Sequence, residues 1–145
     1  VPSVILRFAN VYGPGAGHKS SVVAKFIKDI RSTGRITIDG TGEQTRDFIY
    51  VVDLAEAIVA ALDGDCAGEV FQIATGVETT INELARRLCA LVDAPVGIEN
   101  AGIRQGDVMR NFSSVSKAER VFGWKPRTGL DDGLRATLDW FVAHG

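Results

Sequence analysis

The sequence predicts an α/β fold, and two observations lead there. Val4-Ile5-Leu6 is an apolar run without a polar face, and Gly13-Pro14-Gly15 stops the strand that it opens. Such a run reads as a strand covered on both faces, the usual state in a parallel sheet. Further on, short apolar strands alternate with segments of helical period, the pattern of a layered α/β domain.

The chain of 145 residues is one domain by size, and 46% apolar with 23% charged residues is ordinary for a globular protein. A net charge of −2 with no basic block points away from nucleic acid and from an anionic membrane surface. No apolar run approaches the ~20 residues that span a bilayer. No basic segment followed by an apolar one marks a signal peptide, so a cytoplasmic location is expected. Cys66 and Cys89 lack Cys-x-x-Cys spacing and read as two free thiols. The chain opens directly in an apolar strand, and a parallel strand needs neighbours on its edges. It therefore reads as the C-terminal part of something longer.

The elements follow in order. Ser20 or Ser21 can cap a helix whose apolar stripe is Val22, Val23, Phe26, Ile27 and Ile30, ending at Thr33-Gly34. Ile36-Thr37-Ile38 is a short strand entering the Gly40-x-Gly42 turn. Phe48 to Val52 is the next strand, after which Asp53 caps a helix with Glu56 as its capping-box partner. The stripe Leu54, Ala55, Ile58, Val59 and Leu62 is expected to be buried. Gly68 to Ala74 is another strand. Thr80-Ile81-Asn82-Glu83 is a capping box opening a helix with core face Ile81, Leu84, Ala85, Leu88, Cys89 and Val92, broken at Asp93-Ala94-Pro95. Val96 to Glu99 reads as a short strand, and Ser114 or Ser116 can cap a short helix through Phe122, Glu119 favouring Ser116. Leu130, Leu134, Leu138 and Phe141 mark the last amphipathic helix.

In open α/β sheets ligands bind beyond the carboxyl ends of strands, which puts Asn10 and Tyr12 first among candidate contacts. Arg46 follows a Gly-rich turn that permits close approach. Its guanidinium suits a diphosphate, or else pairs on the surface with Asp47 or Glu43. Arg104-Gln105-Gly106-Asp107 reads by composition as a solvated polar loop. Gly13 to Ser20 nearly matches the phosphate-cradling P-loop, Gly-x-x-x-x-Gly-Lys-Ser/Thr, but His18 stands at its second glycine. Phe48 to Val52 with Asp53 imitates the metal-binding strand of that class. A degenerate P-loop nucleotide-binding domain is thus one alternative, although it accounts for nothing after Asp53.

Four motifs carry a resemblance. Arg7-x-x-Asn10-Val11-Tyr12-Gly13-Pro14, Gly40-Thr41-Gly42-Glu43-Gln44-Thr45-Arg46-Asp47-Phe48, Arg104-Gln105-Gly106-Asp107 and Phe122-Gly123-Trp124-Lys125-Pro126 occur in this order across nearly the whole chain. Together they resemble the C-terminal portion of the nucleotide-sugar epimerases and dehydratases, the extended short-chain dehydrogenase/reductase group, UDP-glucose 4-epimerase among them. The resemblance implies late strands of a Rossmann-type sheet, near 1–12 and about 68–76, plus the small mixed α/β substrate-binding domain. It implies that Asn10, the backbone of Thr37 and Ile38, Arg46, Arg104 and Asp107 hold the nucleotide sugar, with both arginines on the diphosphate and Asp107 on the ribose. It also implies that Phe8, Ala9 and Tyr12 lie beside an NAD or NADP cofactor held mainly by a missing N-terminal domain, that the parent is an isomerase-type enzyme, and that it is a homodimer. Members often carry an aromatic residue where Asp39 stands here.

The group's chemistry needs a Gly-x-x-Gly-x-x-Gly turn and a Tyr-x-x-x-Lys base, whose lysine lowers the tyrosine pKa. Tyr12 is followed four residues on by Ala16, and Tyr50 by Leu54. No catalytic residue and no metal ligand is therefore expected in this chain, which alone should be inactive. A stand-alone nucleotide-sugar binding module is the other alternative.

Overall fold

Parallel pairing organises the chain in a computed structural model that describes residues 2–102, 109–111 and 113–144. Strand β1 (Ile5–Phe8) runs beside β6 (Val70–Ile73), with Ile5 opposite Val70 and Phe8 opposite Ile73. Strand β2 (Asn10–Tyr12) runs beside β5 (Phe48–Tyr50), and β3 (Arg35–Asp39) beside β8 (Gly97–Ala101). The antiparallel pair is β4 (Thr45–Arg46) with β7 (Thr79–Thr80). Among the described residues, five α-helices connect and cover these strands: α1 (Val22–Thr33), α2 (Val51–Asp63), α3 (Ile81–Ala90), α4 (Ser116–Phe122) and α5 (Leu130–His144).

Two cores result. One joins Phe26, Ile27 and Ile30 of α1 to Ile36 and Ile38 of β3, Leu84 and Leu88 of α3, and Leu134 and Phe141 of α5. The other joins Leu54, Ala57 and Ala61 of α2 to Phe71 and Ile73 of β6, with Ala118 and Trp124. Strand β5 serves both, because side chains alternate across a strand: Phe48 enters the first core and Ile49 the second.

The helical periods of α1, α3 and α5 read correctly from sequence, and Gly34 closes α1 in the left-handed conformation that glycine permits. Four expectations are overturned. β1 is not covered on both faces: Ile5 and Phe8 are 54% and 58% exposed. α2 starts at Val51, so the strand before it ends at Tyr50. Asp53 does not cap that helix. It lies buried inside the first turn, and its carboxylate accepts from the backbone N–H groups of Arg127 (3.3 Å) and Thr128 (3.0 Å) and from the Thr128 hydroxyl (3.1 Å). Residue 53 thus staples the entry to α5, while its carbonyl accepts from the Trp124 indole. α2 also buries a different face, packing through Leu54, Ala57 and Ala61 and leaving Ile58, Val59 and Leu62 outside. Small residues let the helix approach the sheet closely. With apolar side chains around most of the helix, periodicity alone could not choose the face.

Two caps differ in detail. Thr80 accepts from the Glu83 N–H at 3.0 Å, as expected, but the Glu83 carboxylate turns to Arg87 instead of completing the box. The cap of α4 is Val115, with Ser116 as the first helical residue and its hydroxyl 3.1 Å from that of Ser114.

Candidate functional site

A cavity of about 330 Å³ opens at the carboxyl end of β2, between the start of α1 and the strands β3 and β4. Its inner wall is aromatic. Tyr12 meets Phe48 edge-on at 6.4 Å and Tyr50 at 5.7 Å, and its hydroxyl donates to the Leu130 carbonyl at 3.5 Å. Burial, then the negative charge of Asp53, pushes the Tyr12 phenol well above its ordinary pKa. A neutral, walled-in phenol is a packing group. It is not poised to exchange protons, and the expected cofactor contact at Tyr12 has little surface to use.

The polar wall has three parts. The start of α1 brings Ser20, Ser21, Val22 and Val23 to the cavity. That turn carries no acidic residue, so its unpaired N–H groups and the helix dipole favour an anion. Ser21 is the N-cap without a side-chain cap bond, and its Oγ is buried with no partner among the described residues. The second part is Asn10, whose amide donates to the Asp47 carbonyl at 3.1 Å, as does its backbone N–H at 3.0 Å.

The third part is Arg46. It lines the cavity half-buried, with Nη1 donating to the Thr45 carbonyl at 2.8 Å. Its neighbour Asp47 is fully buried. The Asp47 carboxylate is taken by the Thr75 N–H (2.9 Å), the Thr75 hydroxyl (2.7 Å) and the Gly76 N–H (2.8 Å). Glu43 accepts from Asn82. Both carboxylates that the surface-pair reading offered to Arg46 are thus engaged elsewhere.

Of the residues singled out from sequence, the fold brings Asn10, Tyr12, Thr37 and Arg46 to one cavity. The Ile38 side chain is buried in the first core, which leaves only its backbone for a ligand. Phe8 and Ala9 stand at the end of β1, Phe8 exposed and Ala9 packed on the second core. Arg104 and Asp107 lie outside the described residues. The sequence reading missed Lys25 and Gln44. Lys25 Nζ donates to Asp29 (2.9 Å) and the Thr37 carbonyl (2.6 Å), and Gln44 Nε2 donates to the Asp39 carbonyl (2.9 Å). The Lys25–Asp29 spacing of four was a legible signal for the first of these. Asp39 itself reaches the cavity as an exposed residue.

Among the described residues no group of three His, Cys, Asp or Glu could hold a metal ion, and no helix is long and apolar enough to cross a membrane. The carboxylate at position 53 that a P-loop reading requires is consumed by residues 127 and 128.

The sequence model of the NAD dependent epimerase/dehydratase family matches residues 1–74. UDP-glucose 4-epimerase of Mycolicibacterium smegmatis is 36% identical over 135 residues, covering 92% of this chain and 43% of that protein. The crystal structure of UDP-glucose 4-epimerase with UDP-glucose from Thermotoga maritima superposes with a TM-score of 0.91 at 34% identity, covering 99% of this chain and 47% of that one. UDP-glucuronic acid 4-epimerase of Bacillus cereus, in complex with UDP-glucuronic acid and NAD, gives 0.89 at 29% identity, covering 99% and 46%. The chain thus spans less than half the length of the relatives it matches.

Proposed function

The chain belongs to the NAD-dependent epimerase/dehydratase family, and from that membership we propose that it is the carboxyl-terminal, nucleotide-sugar-binding portion of such an enzyme. The observation that carries this reading is the convergence of Asn10, Arg46 and the first turn of α1 on one cavity. A neutral amide, a guanidinium fork and a run of unpaired helix N–H groups make a donor-rich wall suited to a diphosphate. Arg104 would add a second fork, and Asp107 would accept from the ribose hydroxyls. Thr37 and Ile38 would meet the base through their backbone. The parent enzyme would act as an isomerase or dehydratase on a UDP-, dTDP- or GDP-sugar, as a cytoplasmic homodimer.

A nicotinamide cofactor, NAD or NADP, would supply reversible hydride transfer. The residues fit it only in part. The exposed Phe8 ring at the end of β1 offers a flat apolar surface, with Ala9 next to it, while no Gly-x-x-Gly-x-x-Gly turn occurs in the chain. The phosphates of that group would therefore be held elsewhere. For the same reason, and because neither tyrosine begins a Tyr-x-x-x-Lys, the chain by itself is expected to turn over no nucleotide sugar.

Calorimetric titration of the full-length protein with UDP, dTDP and GDP tests the site. Arg46→Ala should weaken the best-bound diphosphate by about 1.5–3 kcal/mol, the worth of a hydrogen bond to a charged group. NAD affinity should hold. Unchanged diphosphate affinity would remove Arg46, and with it this reading of the cavity.

A further inference from the structure

Arg46 sits on a strand that cannot hold itself. β4 is two residues long, and its pairing with β7 matches only Thr45 to Thr80 and Arg46 to Thr79. So short a ladder is at best marginal alone. Its other edge is gripped by residues far along the chain. The Thr45 N–H donates to the Met109 carbonyl at 2.8 Å. The next residue, Arg110, closes a two-pronged pair on Glu78, with Nε at 2.9 Å from one carboxylate oxygen and Nη2 at 2.6 Å from the other. The Thr45 hydroxyl donates to the same carboxylate at 2.9 Å. Three segments, 45–46, 78–80 and 109–110, therefore meet at one side chain.

We propose that Glu78, acting with Arg110 and Thr45, is the positioning residue that aims Arg46 into the cavity and thereby sets the affinity for the anionic group bound there. The inference rests on the reading of Arg46 given above. A carboxylate fits this role because its two oxygens accept a guanidinium fork and a hydroxyl together, which neither an amide nor a single hydroxyl can do. As a contribution to stability the pair would count for little, since Arg110 is 70% exposed and Glu78 26%. Its consequence is geometric. A guanidinium bonds a diphosphate through two parallel contacts, so a small displacement of its backbone costs binding out of proportion to the movement. The Arg110 hydrogen bonds also hold the Glu78 carboxyl down to about 2, so the clasp stays ionised throughout the neutral range.

A double-mutant cycle in the full-length protein tests the proposal, read by calorimetric titration with whichever of UDP, dTDP and GDP the wild type binds best. Glu78→Ala should weaken binding about threefold to tenfold, within the usual range of coupling between contacting residues. In an Arg46→Ala background the same change should have no further effect, because its target is gone. Arg110→Ala should reproduce the Glu78→Ala loss, and Arg110→Lys, which keeps the charge but not the fork, should recover only part of it. Equal losses in both backgrounds, or unchanged affinity in Glu78→Ala when Arg46→Ala binds weakly, would overturn the positioning role and leave the anion site standing. Unchanged affinity in Arg46→Ala would overturn both.

Discussion

Asp47 and Thr75 are joined twice: the buried Asp47 carboxylate accepts from the Thr75 N–H at 2.9 Å and from its hydroxyl at 2.7 Å. The contact ties the segment that carries Arg46 to the end of β6, while the Asp47 carbonyl accepts both N–H groups of Asn10. One residue thus sets the spacing between Asn10 and Arg46. Removing its side chain would leave the Thr75 and Gly76 N–H groups without their acceptor. Asp47→Ala is therefore expected to destabilise the fold by about 3 kcal/mol, the upper end for hydrogen bonds to a charged group, because the carboxylate that accepts them is itself buried. Urea denaturation measures this, and a loss below about 1 kcal/mol would contradict the assignment.

Gly133 faces Tyr12 across the cavity wall. A methyl group at position 133 would run into the Tyr12 hydroxyl and ring edge. Alanine gains about 1 kcal/mol in helix propensity over glycine, whereas overpacking a close contact costs about 1–3 kcal/mol. The steric term is larger, so Gly133→Ala should lower the thermal midpoint, and pairing it with Tyr12→Phe should recover part of the loss. A midpoint raised by Gly133→Ala alone would show that the wall yields.

Acid should release the Glu78–Arg110 clasp late. The carboxyl is held at about 2, first by the Arg110 hydrogen bonds and further by the Thr45 hydroxyl. A depressed carboxylate pKa contributes stability above the ordinary carboxylate range and loses it as pH falls through the depressed value. Carbon-detected titration of Glu78 should show no midpoint near 4. A midpoint there would mean that the fork does not persist in solution.

Exposed apolar surface should make this chain self-associate. Ile5 and Phe8 of β1 are more than half exposed, Val70 opposite Ile5 is 37% exposed, and Val59 and Leu62 of α2 are 58% and 74% exposed. Strand edges and apolar faces of this kind pair with whatever is available. Light scattering at high concentration should report species larger than a monomer, reduced by Ile5→Lys. A clean monomer without binding of a hydrophobic dye would count against this.

What the sequence determined by itself is the part written in local spacing. The apolar periods of α1, α3 and α5, the glycine that ends α1, the Thr80 cap and the α/β character all follow from residues within a few positions of one another. The candidates Asn10 and Arg46 were legible too, Asn10 as a donor at a strand end and Arg46 as a cation after a glycine turn, with the family resemblance favouring a ligand over a surface pair for Arg46. The tertiary structure decided what depends on distant partners. Asp53 looks like a cap until residues 127 and 128, more than seventy positions away, take its carboxylate. Apolar residues cover most of the circumference of α2, so only the sheet beneath it selects Ala57 and Ala61 over Val59 and Leu62. Glu78 and Arg110 are ordinary surface charges in the sequence, 32 positions apart, and become a pair beside Thr45 only when the chain folds. Local pattern records which face of a segment is apolar, whereas the partner of a buried or clasped charge depends on which segments the whole topology brings together.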